Sequence, residues 1–68
     1  PDPRWRVVAR QLRRLSPLER RVLVLAYARE MTLREIGLEI GLSESGTCRV
    51  RSRALRKLRE GCAAAEAA

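Results

Sequence analysis

Two four-residue strings fix where helices begin in this chain. In "SPLE", residues 16–19, Ser16 is an N-cap type, Pro17 suits the first helical position, and Glu19 stands three residues after the cap. In "TLRE", residues 32–35, Thr32 and Glu35 repeat the same spacing. Each is a capping box: the hydroxyl accepts from the N3 backbone N–H and the N3 carboxylate reaches back to the cap's own N–H. Two further signals follow. Gly41 is a residue that tolerates positive φ at a helix end, and Ser43 is another N-cap. Helix starts at this spacing leave room only for short helices with short links, and no alternating strand pattern lies between them.

The apolar periodicity fills in the elements. Asp2 and Pro3 start a first helix over roughly 3–14, in which Trp5, Val8, Leu12 and Leu15 recur at helical spacing. The second helix spans Pro17 to Arg29. Every residue from Val22 to Ala28 is apolar or aromatic, so this helix is expected to be buried on more than one side, or to offer a groove to a partner. The third spans Leu33 to Ile40, with Leu33, Ile36 and Ile40 inward. The fourth runs from Glu44 to Glu60, and Gly61 is expected to stop it. The predicted fold is therefore all-α: a four-helix domain over residues 1–61 with a C-terminal helix-turn-helix at 32–60, and an Ala-rich tail at 62–68.

At 68 residues there is space for one thin core, and with no Phe that core must be Leu, Val, Ile and Ala. The formal charge of +7 favours a polyanionic partner, and the acids thin out after Glu44 while the arginines continue. No metal site is expected, because Cys48 and Cys62 without any histidine cannot supply four ligands. On one helix those thiols are separated by roughly 21 Å of rise, too far for a bridge. Reduced thiols suit a cytoplasmic protein. No apolar run approaches a membrane span and no signal peptide is visible, so no membrane partner is expected. The chain opens Pro-Asp-Pro without Met, as expected of a fragment of a longer protein.

Residues 32–60 meet the demands of a helix-turn-helix in order. Ile36 and Gly37 give an apolar residue and then a small one where two helices cross. Gly41 makes the turn, Leu42 is expected to plug the core, Ser43 caps, and Thr47 and Val50 face inward. The inward stripe continues through Ala54 and Leu58, beside Leu55. Glu44, Ser45, Cys48, Arg49 and Ser52 then point outward. Arg49 is the first choice for base readout, since Arg takes guanine O6 and N7 bidentately, and Glu44 is the second, as an acceptor for cytosine N4. Arg53, Arg56, Lys57 and Arg59 suit phosphates or a protein partner. Thr32 and the backbone near Leu33 form a helix N-terminus that suits one phosphate oxygen, although Thr32 is equally explained as a cap.

The stretch from Leu15 to Glu60, "LSPLERRVLVLAYAREMTLREIGLEIGLSESGTCRVRSRALRKLRE", resembles the fourth conserved region of bacterial RNA polymerase sigma factors of the sigma-70 family. "MTLREIG" and "RALRKLRE" carry most of the likeness, with "ERRVLVLAY" and "GLS" at the expected distances between them. The "LSES" and "SRAL" strings are closest in flavour to alternative sigma factors of the flagellar and sporulation type. The resemblance implies recognition of the −35 promoter element in double-stranded DNA, binding to the β-flap of core RNA polymerase, and capture by an anti-sigma factor or activator. By position it implies base reading by Glu44, Ser45 and Arg49, and phosphate contacts at Thr32, Leu33 and Arg53. It implies an activator-facing basic patch at Arg56, Lys57 and Arg59. The flap-facing side falls on the apolar run of helix two, at Val22, Leu23, Leu25, Ala26 and Tyr27.

The chain departs from that family pattern at Leu18, often Arg in relatives, and at Gly46, Thr47 and Cys48, where basic, branched apolar and polar or basic residues are common. Two explanations are consistent with this. Either Gly46 lets the helix backbone approach a different promoter closely, or DNA affinity is weak because the rest of the sigma factor and polymerase supply the remainder. The second needs no special geometry and is preferred. An enzyme is not expected, and no cofactor is implied: there is no histidine, metal set or glycine-rich phosphate loop, and Ser43 and Ser45 lack a base partner. The alternatives to a sigma factor domain are a helix-turn-helix regulator of another type, dimeric on its operator, and an interaction module held by an anti-sigma factor. The isolated domain is expected to be monomeric.

Overall fold

A computed structural model describes residues 3–67, all of whose regular elements are helical. Helix α1 spans Pro3–Arg14, α2 Pro17–Leu23, α3 Leu33–Ile40 and α4 Glu44–Ala67, and a π-helical segment, Val24–Ala28, follows α2 directly. The predicted cap at Asp2 lies outside the described residues.

Both capping boxes form as their spacing requires. The Ser16 hydroxyl accepts from Glu19 N–H at 3.2 Å, and Glu19 Oε1 accepts from Ser16 N–H at 2.9 Å. Thr32 and Glu35 make the same reciprocal pair at 3.1 and 2.9 Å. Gly41 ends α3 with φ 77°, and its N–H and that of Leu42 both donate to the Gly37 carbonyl at 2.9 Å. These two hydrogen bonds to one carbonyl close the turn before Ser43.

The core has two lobes that share α4. In one, Leu15 just after α1, Leu23 of α2 and Ala54 of α4 are buried, with Leu12, Leu55 and Leu58 packed around them. In the other, Val22, Ile36 and Val50 are buried, flanked by Leu25, Ala26, Met31 and Ile40. The inward stripe of α4 is thus Thr47, Val50, Ala54 and Leu58, as its spacing predicts.

Three expectations are corrected. Helix two does not run as one α-helix to Arg29. After Leu23 the backbone widens into π geometry, with Arg29 N–H donating to the Val24 carbonyl at 3.1 Å. Of the two alternatives for its apolar run, the exposure of Val24 (50%) and Tyr27 (61%) agrees with the one that leaves a groove open. Helix α4 does not stop at Gly61 but continues to Ala67. Among the described glycines only Gly41 has positive φ, so Gly61 is an ordinary helical residue. A Cβ there would overlap the Gln11 side chain, so the missing side chain serves the close passage of α1. Finally, Leu42 is 37% exposed and does not plug the core. What approaches α3 at that point is its backbone.

That approach leaves no room for a side chain at Gly37. A Cβ there would stand 2.5 Å from the Leu42 carbonyl oxygen and 3.0 Å from Thr47 Oγ1. The obstacle is backbone, so relief would require the turn itself to move. Gly37→Ala is therefore expected to lower stability by about 1–3 kcal/mol despite alanine's better helix propensity. Urea unfolding of the two chains checks this, and an unchanged midpoint would contradict the packing described.

Candidate nucleic-acid interface

The interface is built on the first turns of α4. Ser43 opens that helix with its hydroxyl accepting from Gly46 N–H at 3.0 Å, while its carbonyl accepts from Thr47 N–H at 2.9 Å and Thr47 Oγ1 at 2.8 Å. Thr47 is fully buried and satisfied by that bond, which sets the rotation of α4 about its axis. With Thr47 and Val50 inward, Glu44, Ser45 and Arg49 emerge on the exposed side. These three and Cys48 line one open concavity together with Leu33 from the start of α3. Leu33, expected inward, is half-buried and forms the wall of this concavity; Ile36 occupies the core instead.

The α3 N-terminus supplies the other edge. The Thr32 hydroxyl is engaged by Glu35 N–H, which leaves the N–H groups of Leu33 and Arg34 without intrahelical partners. They are the donors available to an anion. The Glu35 carboxylate lies alongside, held below its usual pKa by the Thr32 backbone N–H and then by the Thr32 hydroxyl. It remains ionised and opposes an incoming phosphate. Gly46 is half-buried, and a Cβ there would sit 3.1 Å from the Ser43 hydroxyl. Cys48 Sγ lies 4.0 Å from Arg51 Nη2, and both cysteines are free, as their separation predicts.

The basic residues further along α4 are not equivalent. Arg56 and Arg59 are exposed. Arg53 and Lys57, one turn apart, face back onto α2. Lys57 Nζ donates to Glu19 Oε1 at 3.0 Å, and Arg53 Nε lies 3.6 Å from Glu19 Oε2. Glu19 itself is 3% exposed. The sequence marked it only as a capping residue. No local pattern signals its second role, because Lys57 stands 38 positions further along the chain.

The apolar side is rearranged relative to expectation. Val22 is fully buried, whereas Leu25 and Ala26 are partly buried and pack on the lobe around Ile36. Leu23 and Tyr27 do line a groove of about 340 Å³, with Val24 and Ala28. Trp5 and Leu12 of α1 and Leu55 and Leu58 of α4 complete it. The division follows helical spacing: Val22, Leu25 and Ala26 face one neighbour, and Leu23, Val24, Tyr27 and Ala28 the other.

A family model described as "Sigma-70, region 4" matches residues 11–60, from the end of α1 to the middle of α4. The chain belongs to the sigma-70 region 4 family. It is a sigma factor domain, and its helix-turn-helix is a DNA-binding unit of transcription initiation. The family is a DNA-binding regulatory one and not a catalytic fold. Sigma domains of this type act with promoter DNA and RNA polymerase. No curated protein and no solved structure matches the chain significantly. Among the described residues, no helix of the sigma domain is long and apolar enough to cross a membrane, and no group of His, Cys, Asp and Glu could hold a metal ion.

Glu19 gives the sigma domain a defined acid response. Its pKa is lowered from 4.5 to about 2, first by the Ser16 backbone N–H and then by Lys57, against the opposing effect of burial. A carboxylate with a depressed folded pKa contributes stability that is complete above 4.5 and is lost as pH falls toward 2. Urea midpoints should therefore drop between pH 5 and 2.5, and Glu19→Gln should flatten that drop. A variant as acid-sensitive as the parent would show that other groups set the response.

Proposed function

We propose that this domain recognises the −35 promoter element through α4 while its apolar groove receives the β-flap of core RNA polymerase. The observation that carries the first half is the convergence of Glu44, Ser45 and Arg49 with Leu33 on one concavity at the open end of the helix-turn-helix. A recognition helix entering the major groove presents its N-terminal residues to base edges, and these are the exposed residues of that turn. Arg49 reads a guanine, Glu44 a cytosine amino group, and Ser45 either. Phosphate contacts come from the α3 N-terminus at Thr32 and Leu33. Arg53 adds to them only in part, since its Nε side faces Glu19.

The second half rests on the groove. Exposed Trp5 and Tyr27 rim a floor of Leu12, Leu23, Leu55 and Leu58, the arrangement that takes the apolar face of a short helix. Arg56 and Arg59 continue outward on α4 as the surface for an activator, with Lys57 partly withdrawn by Glu19. The same groove supports a second reading, capture by an anti-sigma factor, which would compete with the flap.

Fluorescence anisotropy on promoter and scrambled duplexes tests the first half. Arg49→Ala should lose about 1–3 kcal/mol of discrimination at one base pair. Equal losses on both duplexes would remove Arg49 as a reader. Titration with a β-flap peptide tests the second. Tyr27→Ala, at an exposed position, should weaken flap binding roughly tenfold or more and leave DNA binding unchanged. Undiminished flap affinity would move the polymerase contact elsewhere.

A further inference from the structure

We infer that Glu19 acts as a charge-subtracting residue for DNA binding: it withholds Arg53 and Lys57 from phosphates, so that Arg49 and the α3 N-terminus dominate the contact. This rests on the reading of α4 as the DNA-binding helix. Arg49, Arg53 and Lys57 follow one another at four-residue spacing along α4, and such positions form one ridge on a helix. The ridge begins at the base-reading turn and would otherwise carry three cations along a DNA backbone. Glu19 lies under its second and third members. Its Oε1 is occupied by the Ser16 N–H and by Lys57 Nζ. Its Oε2 is buried without any hydrogen bond, and its nearest cation is Arg53 Nε at 3.6 Å.

The competition is unequal for a physical reason. A phosphate that drew both cations away would leave a carboxylate, 3% exposed, without its compensating charges. Stripping a buried charge of its partner is far more costly than losing a surface ion pair. The Arg53 and Lys57 side chains are 52% and 49% exposed, so they are visible to DNA, but Glu19 already matches one of their two charges from below. Selectivity gains from this. Phosphate contacts strengthen binding to every sequence alike, whereas Arg49 distinguishes one.

The test compares the 68-residue chain with Glu19→Gln on promoter and scrambled duplexes across a salt series. Gln still closes the capping box, so α2 should keep its start, and circular dichroism checks this. Each further phosphate neutralised steepens the log–log salt slope by about 0.9 and multiplies the affinity lost between about 50 and 200 mM salt by about 3.5-fold. The expected result is a slope steeper by about one to two, tighter binding to scrambled DNA, and a lower ratio of promoter to scrambled affinity. Adding Arg53→Gln and Lys57→Gln to that variant should return the parent slope. An unchanged or shallower slope in a folded Glu19→Gln chain would overturn the inference, leaving Glu19 a structural residue only. If the variant does not fold, Arg53→Gln with Lys57→Gln in the parent carries the test: a slope shallower by no more than about one supports the inference, and a loss of about two overturns it. A parent chain that binds neither duplex would instead refute the DNA-binding reading itself.

Discussion

Every other element of this domain is held by one stripe of α4. Thr47, Val50, Ala54 and Leu58 form the common wall of both core lobes, and α1, α2 and α3 each pack on a different length of it. In so small a chain no helix can be stable on its own propensity. The stripe therefore fixes two things together. It supplies the shared burial that makes folding possible, and it sets the rotation of α4, hence which residues face outward at its first turn. Small residues let the stripe work at close range: Gly37 admits the backbone of the turn, Ala54 is fully buried, and Gly61 admits Gln11. The recognition surface is the reverse side of the core.

The charges divide by the same logic. On the far side of α4, Arg49, Arg56 and Arg59 are exposed. On its flank, Arg53 and Lys57 meet the start of α2, where Glu19 serves the capping box and the ion pairs at once. One carboxylate thus fixes the start of α2, anchors that start to α4, and moderates the charge that α4 shows to DNA. A chain carrying +7 overall is attracted to the phosphates of any nucleic acid, whatever its sequence. For such a chain, selectivity depends on limiting the attraction that every sequence shares.

The helix starts were legible because each depends on residues three apart. Ser16 with Glu19, Thr32 with Glu35, and Ser43 with Gly46 are local pairs, and all three form. The turn at Gly41 was legible for the same reason. What failed depended on tertiary partners. Gly61 carries the mark of a helix end, but its neighbour in space is Gln11, fifty residues away, and the helix continues. The apolar run from Val22 to Ala28 predicted burial on more than one side or a groove, and it lines both a core lobe and a groove, but periodicity says nothing of the π-helical turn within it. The base-reading candidates Glu44, Ser45 and Arg49 were placed by helical phase alone and do emerge on one surface. The second role of Glu19 joins residues nearly forty positions apart, and no local pattern fixes such a pair.

The sparse first turn of α4 fits this division of labour. A Cβ at Gly46 would lie against the Ser43 hydroxyl, at the cap of α4, so its absence eases packing there as well as any approach of DNA. Cys48 adds no formal charge to the concavity, and the nearby Glu35 carboxylate is ionised. Arg49 is therefore the only cation among the residues that line that surface. A stand-alone regulator built this way would hold DNA weakly. A sigma domain need not hold it alone, because attachment to a larger assembly raises its effective concentration at the promoter without any new contact. Under that condition a reading surface with few phosphate contacts is an advantage: the assembly supplies residence, and the domain is left to supply discrimination.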